Sequence, residues 1–302
     1  MANILSYQHA INLLKISYKN DGFPVREKTL GQQVSEEFGN QLSEHRHGCF
    51  YALLDEQLGL MRFVVWYFTS CLFTEKVKGV QHLRLATSQF NALASIRLLC
   101  SRGFDIAARM QLRLLYENSI IWSRLLIDEE ASKEWDRSFS LEQGNLFWHK
   151  YISKSKTEKY MKRAAEERGF TWLGNDELSV ASLKNIVGFA THPTVFASYL
   201  NAKHDFNSTS RNGLVLGEIV DDSIVTVIAA MFCASLPFAI FPHPGFGVQS
   251  IDFLQLGHPF DFMAIHEGDW DANFNKIITF IQKIYVFSDR YYTESCARRD
   301  LT

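Results

Sequence analysis

Cysteine is scarce and scattered in this chain. Only five cysteines occur among 302 residues, and no two of them form a Cys-x-x-Cys pair. Their odd number and wide spacing argue against a disulfide framework and favour a reducing compartment. The first turns of the sequence also lack the basic segment followed by an apolar one that a signal peptide requires. From these absences we expect a cytoplasmic protein.

Several nucleotide-binding and catalytic motifs are also missing. The sequence contains no Gly-x-x-x-x-Gly-Lys-Ser/Thr loop, no Gly-x-Gly-x-x-Gly segment after a strand and no Gly-x-Ser-x-Gly turn. The formal net charge is only −2, so no overall field attracts nucleic acid or an anionic membrane. We therefore expect no cofactor and find no strong signal for a nucleic-acid partner.

The chain does contain apolar residues at helical spacing along most of its length, without an alternation of strands and helices. This pattern predicts an all-α fold, a multi-helix bundle that forms a single domain over residues 1–302. The clearest helices span residues 81–102 and 105–127, and a short break at Gly103 predicts that they pack as an antiparallel hairpin. The residues expected on their apolar faces are Leu83, Ala86, Phe90 and Leu93 in the first helix, and Ile106, Met110, Leu114, Ile121 and Leu125 in the second.

One long segment, residues 223–241, has no charged residue and admits two interpretations. Its length approaches that of a transmembrane helix, but Pro237 interrupts it, and Asp221 and Asp222 directly precede it. A central apolar helix, buried in the bundle, explains this composition better, so we expect no membrane partner. Residues 243–270 are rich in Gly, Pro and His, and we expect them to form an irregular loop segment.

Three arginines on the predicted hairpin form the first candidate site. Arg97 lies on the same stripe as apolar residues of the first helix. Arg109 and Arg113 are one turn apart on the second helix, and Glu117 is one turn further. We predict one connected polar cluster inside the bundle, in which a single carboxylate leaves guanidinium groups available for an anionic ligand. The alternative is a structural network, in which one arginine pairs with the glutamate and the others reach solvent along their stems.

His192 is the second candidate, at a predicted helix break just before Pro193. A histidine in this position is suited to act as a general base or to bind a ligand, and we predict that it lies near the arginines. The alternative is structural, because such a histidine also caps a helix or donates a hydrogen bond to a carbonyl.

Acidic side chains supply the remaining candidates. Glu218, Asp221 and Asp222 share one helical face, where three carboxylates suit Mg²⁺ or Mn²⁺, although acids at a helix start are also expected from the helix dipole. The loop after residue 242 holds further residues of metal-ligating type: His243, Asp252, His258, Asp261, His266, Glu267 and Asp269. Their spacing matches no metal-binding motif, so we predict no metal site.

A family resemblance rests on the segment Arg109-Met110-Gln111-Leu112-Arg113-Leu114-Leu115-Tyr116-Glu117, on Ser182 with the later pair His192-Pro193, and on the long apolar helix. Over residues 83–241 the chain resembles an uncharacterised family of bacterial all-helical proteins, a domain of unknown function. The resemblance implies an all-α fold and singles out Arg113, Glu117 and His192, but it implies no activity. Proteins of this kind look similar to abortive-infection and HEPN-type proteins, which implies a bacterial defence setting. The spacing of arginine and histidine in the HEPN ribonuclease motif does not occur here, which argues against that chemistry.

Two classes of function stay open on the sequence. In the first, which we favour, the chain is a binding or regulatory module, and the three arginines recognise an anionic ligand or a protein partner. In the second, it is a phosphodiester-type hydrolase that uses His192 with Glu117, or with the face formed by Glu218, Asp221 and Asp222. Assembly into a homo-oligomer is compatible with either class.

Overall fold

The fold is known from a computed structural model, which describes residues 6–20, 27–38, 48–73, 80–138, 140–153, 156–167 and 223–239, together with Ile284. These residues are 90% helical, contain no strand, and form nine helices that pack against each other. The prediction of an all-α helical bundle is therefore confirmed. The predicted irregular segment, residues 243–270, lies outside the described residues.

The α-helices follow one another in chain order, with a π-helical turn after α7 and a 3₁₀ turn after α9. Their bounds are α1 Tyr7–Asn20, α2 Leu30–Glu37, α3 Gly48–Phe73, α4 Val80–Ser101, α5 Asp105–Ile127, α6 Glu129–Trp135, α7 Leu141–Phe147, α8 Lys156–Glu167 and α9 Ser223–Ser235; the π turn is Trp148–Ile152 and the 3₁₀ turn is Leu236–Ala239.

The predicted hairpin is formed by α4 and α5, and its turn depends on a glycine. Gly103 has a φ of 77°, in the left-handed region where a residue without a side chain is favoured. Its N–H donates to the carbonyl of Cys100 at 3.2 Å, and the N–H of Phe104 donates to that of Leu99 at 2.9 Å. These two bonds satisfy carbonyls that the end of α4 leaves open, so the chain reverses directly into α5.

The contact between the two helices of the hairpin is unexpectedly polar. Gln89 donates its side-chain N–H to Ser119 at 2.9 Å, and Asn118 donates to Ser88 at 2.7 Å. Both bonds cross between antiparallel helices, which confirms the predicted packing of the hairpin. Hydrogen-bonded polar pairs therefore occupy positions between the helices where the sequence pattern predicts apolar contact.

The predicted apolar face of α5 is partly wrong. Met110 and Leu114 are 57% and 45% exposed, whereas Arg109, Leu112 and Leu115 face the interior. The reason is that the polar and charged residues of α5 find partners inside the bundle, which turns the helix so that two large apolar side chains point outward.

Helix α9 is the central apolar helix that the sequence predicts. Its side chains are buried almost throughout, and it contacts α3, α4 and α5. Gln57 of α3 donates its side-chain N–H to the carbonyl of Met231 at 3.0 Å, so α9 is held by a polar bond as well as by apolar packing. In the part of the chain that the structure describes, no helix has both the length and the apolar character that crossing a bilayer requires.

Helix α2 lies very close to α3, and two glycines permit this approach. A Cβ atom at Gly31 would lie 2.5 Å from the backbone nitrogen of Glu56, and one at Gly59 would lie 2.5 Å from Cβ of Leu30. The carboxylate of Glu56, which is completely buried, accepts the N–H of Gly31 at 2.6 Å and also the hydroxyl of Tyr18 from α1. One carboxylate thus joins three helices and satisfies an N–H at the start of α2.

Helices α6 and α8 and the π turn pack against α5, and α7 packs against α6 and the π turn. Asp128 caps α6 by accepting the N–H of Ala131 at 3.0 Å, and a capping box at Ser140 begins α7. Tyr116 of α5 donates its hydroxyl to Glu158 of α8 at 2.8 Å, which attaches α8 to the bundle.

Candidate functional site

Arg97 is completely buried, and its charge is balanced by an acid that the sequence analysis did not identify. Its Nε and Nη2 atoms donate to the two carboxylate oxygens of Asp55 at 2.7 and 3.0 Å, and the guanidinium group also lies over the rings of Phe38 and Tyr51. Burial raises the pKa of Asp55, although the hydrogen bonds and charge of Arg97 act to lower it. The pair joins α3 to α4 at a position without solvent contact.

A usable signal for this pair exists in the sequence. Residues 50–73 form an apolar and aromatic stretch, and Asp55 lies inside it. An acid within such a helix requires a buried partner, just as Arg97 does on its apolar stripe. The sequence therefore predicts that Arg97 pairs with an acid of this stretch, for which Asp55 and its neighbour Glu56 are equal candidates.

Arg109 belongs to a second buried ion pair. Its Nε lies 2.7 Å from a carboxylate oxygen of Asp105, one turn earlier in α5. Thr226 of α9 accepts from the same Nε at 3.2 Å and donates its hydroxyl to the other oxygen of Asp105 at 2.7 Å. The charge of Arg109 is thus balanced locally, and the three side chains fix the position of α9 against α5.

The two ion pairs lie in one polar layer, close to a buried thiol. Burial raises the pKa of Cys100, as does the charge of Asp105, whereas the charges of Arg109 and Arg97 lower it. Tyr51 also lies in this layer, with its hydroxyl 3.2 Å from the hydroxyl of Ser223 at the start of α9. The layer holds two guanidinium groups and two carboxylates, so its formal charge is balanced.

Arg113 and Glu117 do not join this layer. They form a separate pair on the surface, with Nε of Arg113 3.0 Å from an oxygen of Glu117 and side chains that are 51% and 33% exposed. The prediction of one buried cluster that includes all three arginines and Glu117 is therefore wrong. The physical reason is that the interior supplies a carboxylate to each of Arg97 and Arg109, and position 113 has turned toward solvent.

Other candidate residues belong to parts of the chain that the structure does not describe. His192 and the acids Glu218, Asp221 and Asp222 lie outside the described residues, as do all the acids and histidines predicted for the segment after residue 242. Their roles stay predictions. Within the described ranges, no three His, Cys, Asp or Glu side chains are arranged so that they could hold a metal ion.

The surface of the hairpin that points away from the bundle shows the most distinctive features; we call it the outer face of α4–α5. An open groove of about 480 Å³ runs between the two helices there. Polar side chains make up much of its lining: Arg84, Thr87, Ser88, Asn91, Ser95 and Gln111. The side-chain amides of Asn91 and Gln111 make no hydrogen bond to any other described residue, so their donors and acceptors are available to a ligand.

The same outer face carries exposed apolar side chains. Leu98, Met110 and Leu114 are 41%, 57% and 45% exposed, and Phe104 in the turn is 44% exposed. With Val80 at the start of α4, five of the eight large apolar side chains found exposed among the described residues therefore lie on one hairpin. Such a concentration is typical of an interaction surface, whereas single exposed apolar residues are ordinary.

Comparison with known proteins adds no relative: no family model, no curated protein and no solved structure matches this chain. The resemblance of residues 83–241 to an uncharacterised bacterial helical family stays a prediction.

Proposed function

We propose that this chain is a binding module, and that the outer face of α4–α5 is the site at which it binds a protein partner. The observation that carries the proposal is the inverted pattern of α5. Asp105 and Arg109 face the interior, while Met110 and Leu114 face solvent. A helix that buries charge and exposes apolar surface departs from the pattern that folding alone favours, and such departures are expected at functional sites.

The composition of the face supports a protein partner over a small anion. Arg97 and Arg109, which the sequence analysis assigned to an anionic ligand, each already bind a carboxylate of the chain. Arg113 is the member of that set on the outer face. The exposed Met110 and Phe104 beside arginine side chains match the composition of protein–protein contacts, in which methionine, aromatic residues and arginine are enriched.

Site-specific photo-crosslinking in cells that naturally encode the chain tests the proposal. A photoreactive phenylalanine analogue is placed at Asn91 in the groove, and separately at Lys159, an exposed residue of α8. We expect one defined protein adduct from position 91 and none of the same mass from position 159. The additional change Met110→Asp is expected to remove the adduct while leaving the helical circular dichroism unchanged, because Met110 is exposed.

The absence of an adduct at position 91 would contradict the proposal, and so would three other results. Equal adducts from positions 91 and 159 would indicate contact without a defined site. An adduct at position 91 that persists with Met110→Asp would show that the apolar part of the face does not contribute. An adduct with the mass of two copies of this chain would identify self-association in place of a separate partner.

A further inference from the structure

The outer face of α4–α5 carries more positive than negative charge. Arg84, Arg102 and Arg113 are exposed on it, and Glu117, the one carboxylate that the described residues of the hairpin place on this face, is bound to Arg113. Asp136, after α6, lies near enough to Arg84 for their charges to interact. Arg102 forms no ion pair with any residue that the structure describes. The face therefore favours a ligand that supplies carboxylates, most directly at Arg102.

The positive and apolar parts of the face adjoin. Leu98 lies near the end of α4, four residues before Arg102 in the turn, and Met110 and Leu114 are one turn apart on α5. The three apolar side chains are each between 41% and 57% exposed. A ligand that covers them must present apolar groups and carboxylates within one turn of each other.

The groove on the outer face has a shape that accommodates a bound helix. A groove between two antiparallel helices is the geometry into which a third helix packs, with its side chains between the ridges of the other two. From Arg84 to Arg102 the face extends over about 27 Å, at 1.5 Å per residue. That length corresponds to about five turns of a bound helix.

We propose that the occupant of the outer face is an amphipathic α-helix of another protein that carries Asp or Glu beside its apolar stripe. Its apolar stripe covers Leu98, Met110 and Leu114, and its carboxylates bind Arg102 and Arg84. This inference rests on the proposed function and specifies the chemistry of the partner. A second copy of the same face would bring a further excess of positive charge, and a nucleic acid would leave the apolar side chains without contacts.

Designed peptides test the inference with the full chain. The probe is a fluorescent helical peptide of about 18 residues with Leu at the i, i+3, i+4 and i+7 positions and Glu beside them. The matched peptide replaces every Glu with Lys. In fluorescence anisotropy we expect the acidic peptide to bind at least about tenfold more tightly than the basic one, a difference that weakens as salt screens the charges.

Substitutions on the outer face, with a matched control on α8, test the same inference from the side of the chain. Arg102→Glu is expected to weaken the binding of the acidic peptide by about tenfold and to strengthen the binding of the basic peptide. Met110→Ser is expected to weaken the binding of both peptides, because it removes the apolar contact that they share without adding a charge. Lys159→Glu makes a comparable change of charge on the exposed surface of α8 and is expected to leave both affinities unchanged.

Other outcomes overturn the inference. Equal affinity for both peptides, no binding of either, or an Arg102→Glu variant that binds like the original chain would each reject an acidic helix as occupant. Sedimentation that shows a dimer dissociated by Met110→Asp would instead assign the face to a second copy. If the adduct at position 91 forms while the peptides show no dependence on charge, the proposed function stands and this inference fails; if the adduct is absent, the proposed function itself fails.

Discussion

The indole N–H of Trp122 in α5 donates to Nδ1 of His82 in α4 at 3.1 Å, inside the hairpin. This bond requires that Nδ1 carry no proton, so His82 is neutral with its proton on Nε2. The ring of Phe68 stacks on the imidazole, with the two ring centroids 5.9 Å apart. Burial lowers the pKa of His82 to about 4.

The first prediction concerns the pH dependence of folding through His82. Since the pKa is about 4 in the folded chain and about 6.5 in the unfolded chain, the unfolded chain binds more protons between these values. The contribution of the neutral His82 to the free energy of unfolding is fully present above about pH 6.5 and is lost as the pH falls toward 4. The loss is at most about 1.4 kcal/mol per pH unit. Urea unfolding between pH 4 and 7 measures the free energy of unfolding. His82→Asn, which keeps an acceptor near Nδ1, is expected to flatten the curve, and an unchanged slope would contradict the assignment.

The second prediction concerns the buried pair of Arg97 and Asp55. Arg97→Ala leaves the carboxylate buried without its partner and is expected to lower the free energy of unfolding by about 3–5 kcal/mol. Replacing both charges, by Arg97→Met with Asp55→Leu, is expected to recover part of that loss, because no charge then stays buried. Chemical denaturation measures both changes.

A matched control for this pair exists on the surface. Arg62 binds Glu37 through Nη2 at 2.6 Å, with side chains that are 47% and 54% exposed. Arg62→Ala is expected to change the free energy of unfolding by no more than about 1 kcal/mol, because solvent screens the pair. Equal losses for Arg62→Ala and Arg97→Ala would contradict the buried geometry.

The third prediction separates the arginines of α5. Arg109→Ala removes the partner of Asp105 and the bond to Thr226, and is expected to cost about 3–5 kcal/mol. Arg113→Ala removes an exposed pair one turn away and is expected to cost less than about 1 kcal/mol. Thermal unfolding of the two variants compares them directly. A large loss for Arg113→Ala would show that its side chain has a buried role.

The fourth prediction concerns the contact between α2 and α3. Gly31→Ala places a methyl group 2.5 Å from a backbone nitrogen and is expected to destabilise the chain by about 1–3 kcal/mol or more. Gly144 in α7 is the matched control, since a Cβ atom there meets nothing within 4 Å. Gly144→Ala is expected to stabilise by about 0.5–1 kcal/mol, because alanine loses less backbone entropy in a helix. Opposite signs in thermal unfolding confirm the contact, and equal signs contradict it.

Periodicity and glycine placement predict the helices well. The break at Gly103 can be predicted because only a few residue types reverse the chain after a helix. Residues 223–241 indicate a buried helix because they carry no charge. These features depend on neighbours in the sequence. They require no knowledge of which helix contacts which.

The faces of α5 could not be predicted in the same way. Met110 and Leu114 suit an inner face by hydropathy, and Asp105 and Arg109 suit an outer one. Their actual positions depend on Thr226, which is 121 residues from Asp105 in the sequence. Such a partner is defined by tertiary contact alone, so a local pattern assigns the wrong side of the helix.

The late position of α9 in the sequence has a consequence for biosynthesis. The bond between Gln89 and Ser119 joins residues 30 positions apart, whereas Gln57 and Met231 are 174 positions apart. The hairpin therefore closes early on the ribosome, and α9 reaches it only after the intervening chain is made. At roughly 5–20 residues per second, translation from the end of α5 to the end of α9 takes on the order of ten seconds. During that interval the apolar surfaces of α3, α4 and α5 that α9 covers are open to other nascent chains and to chaperones, so the yield of folded protein depends on how they are protected before α9 emerges.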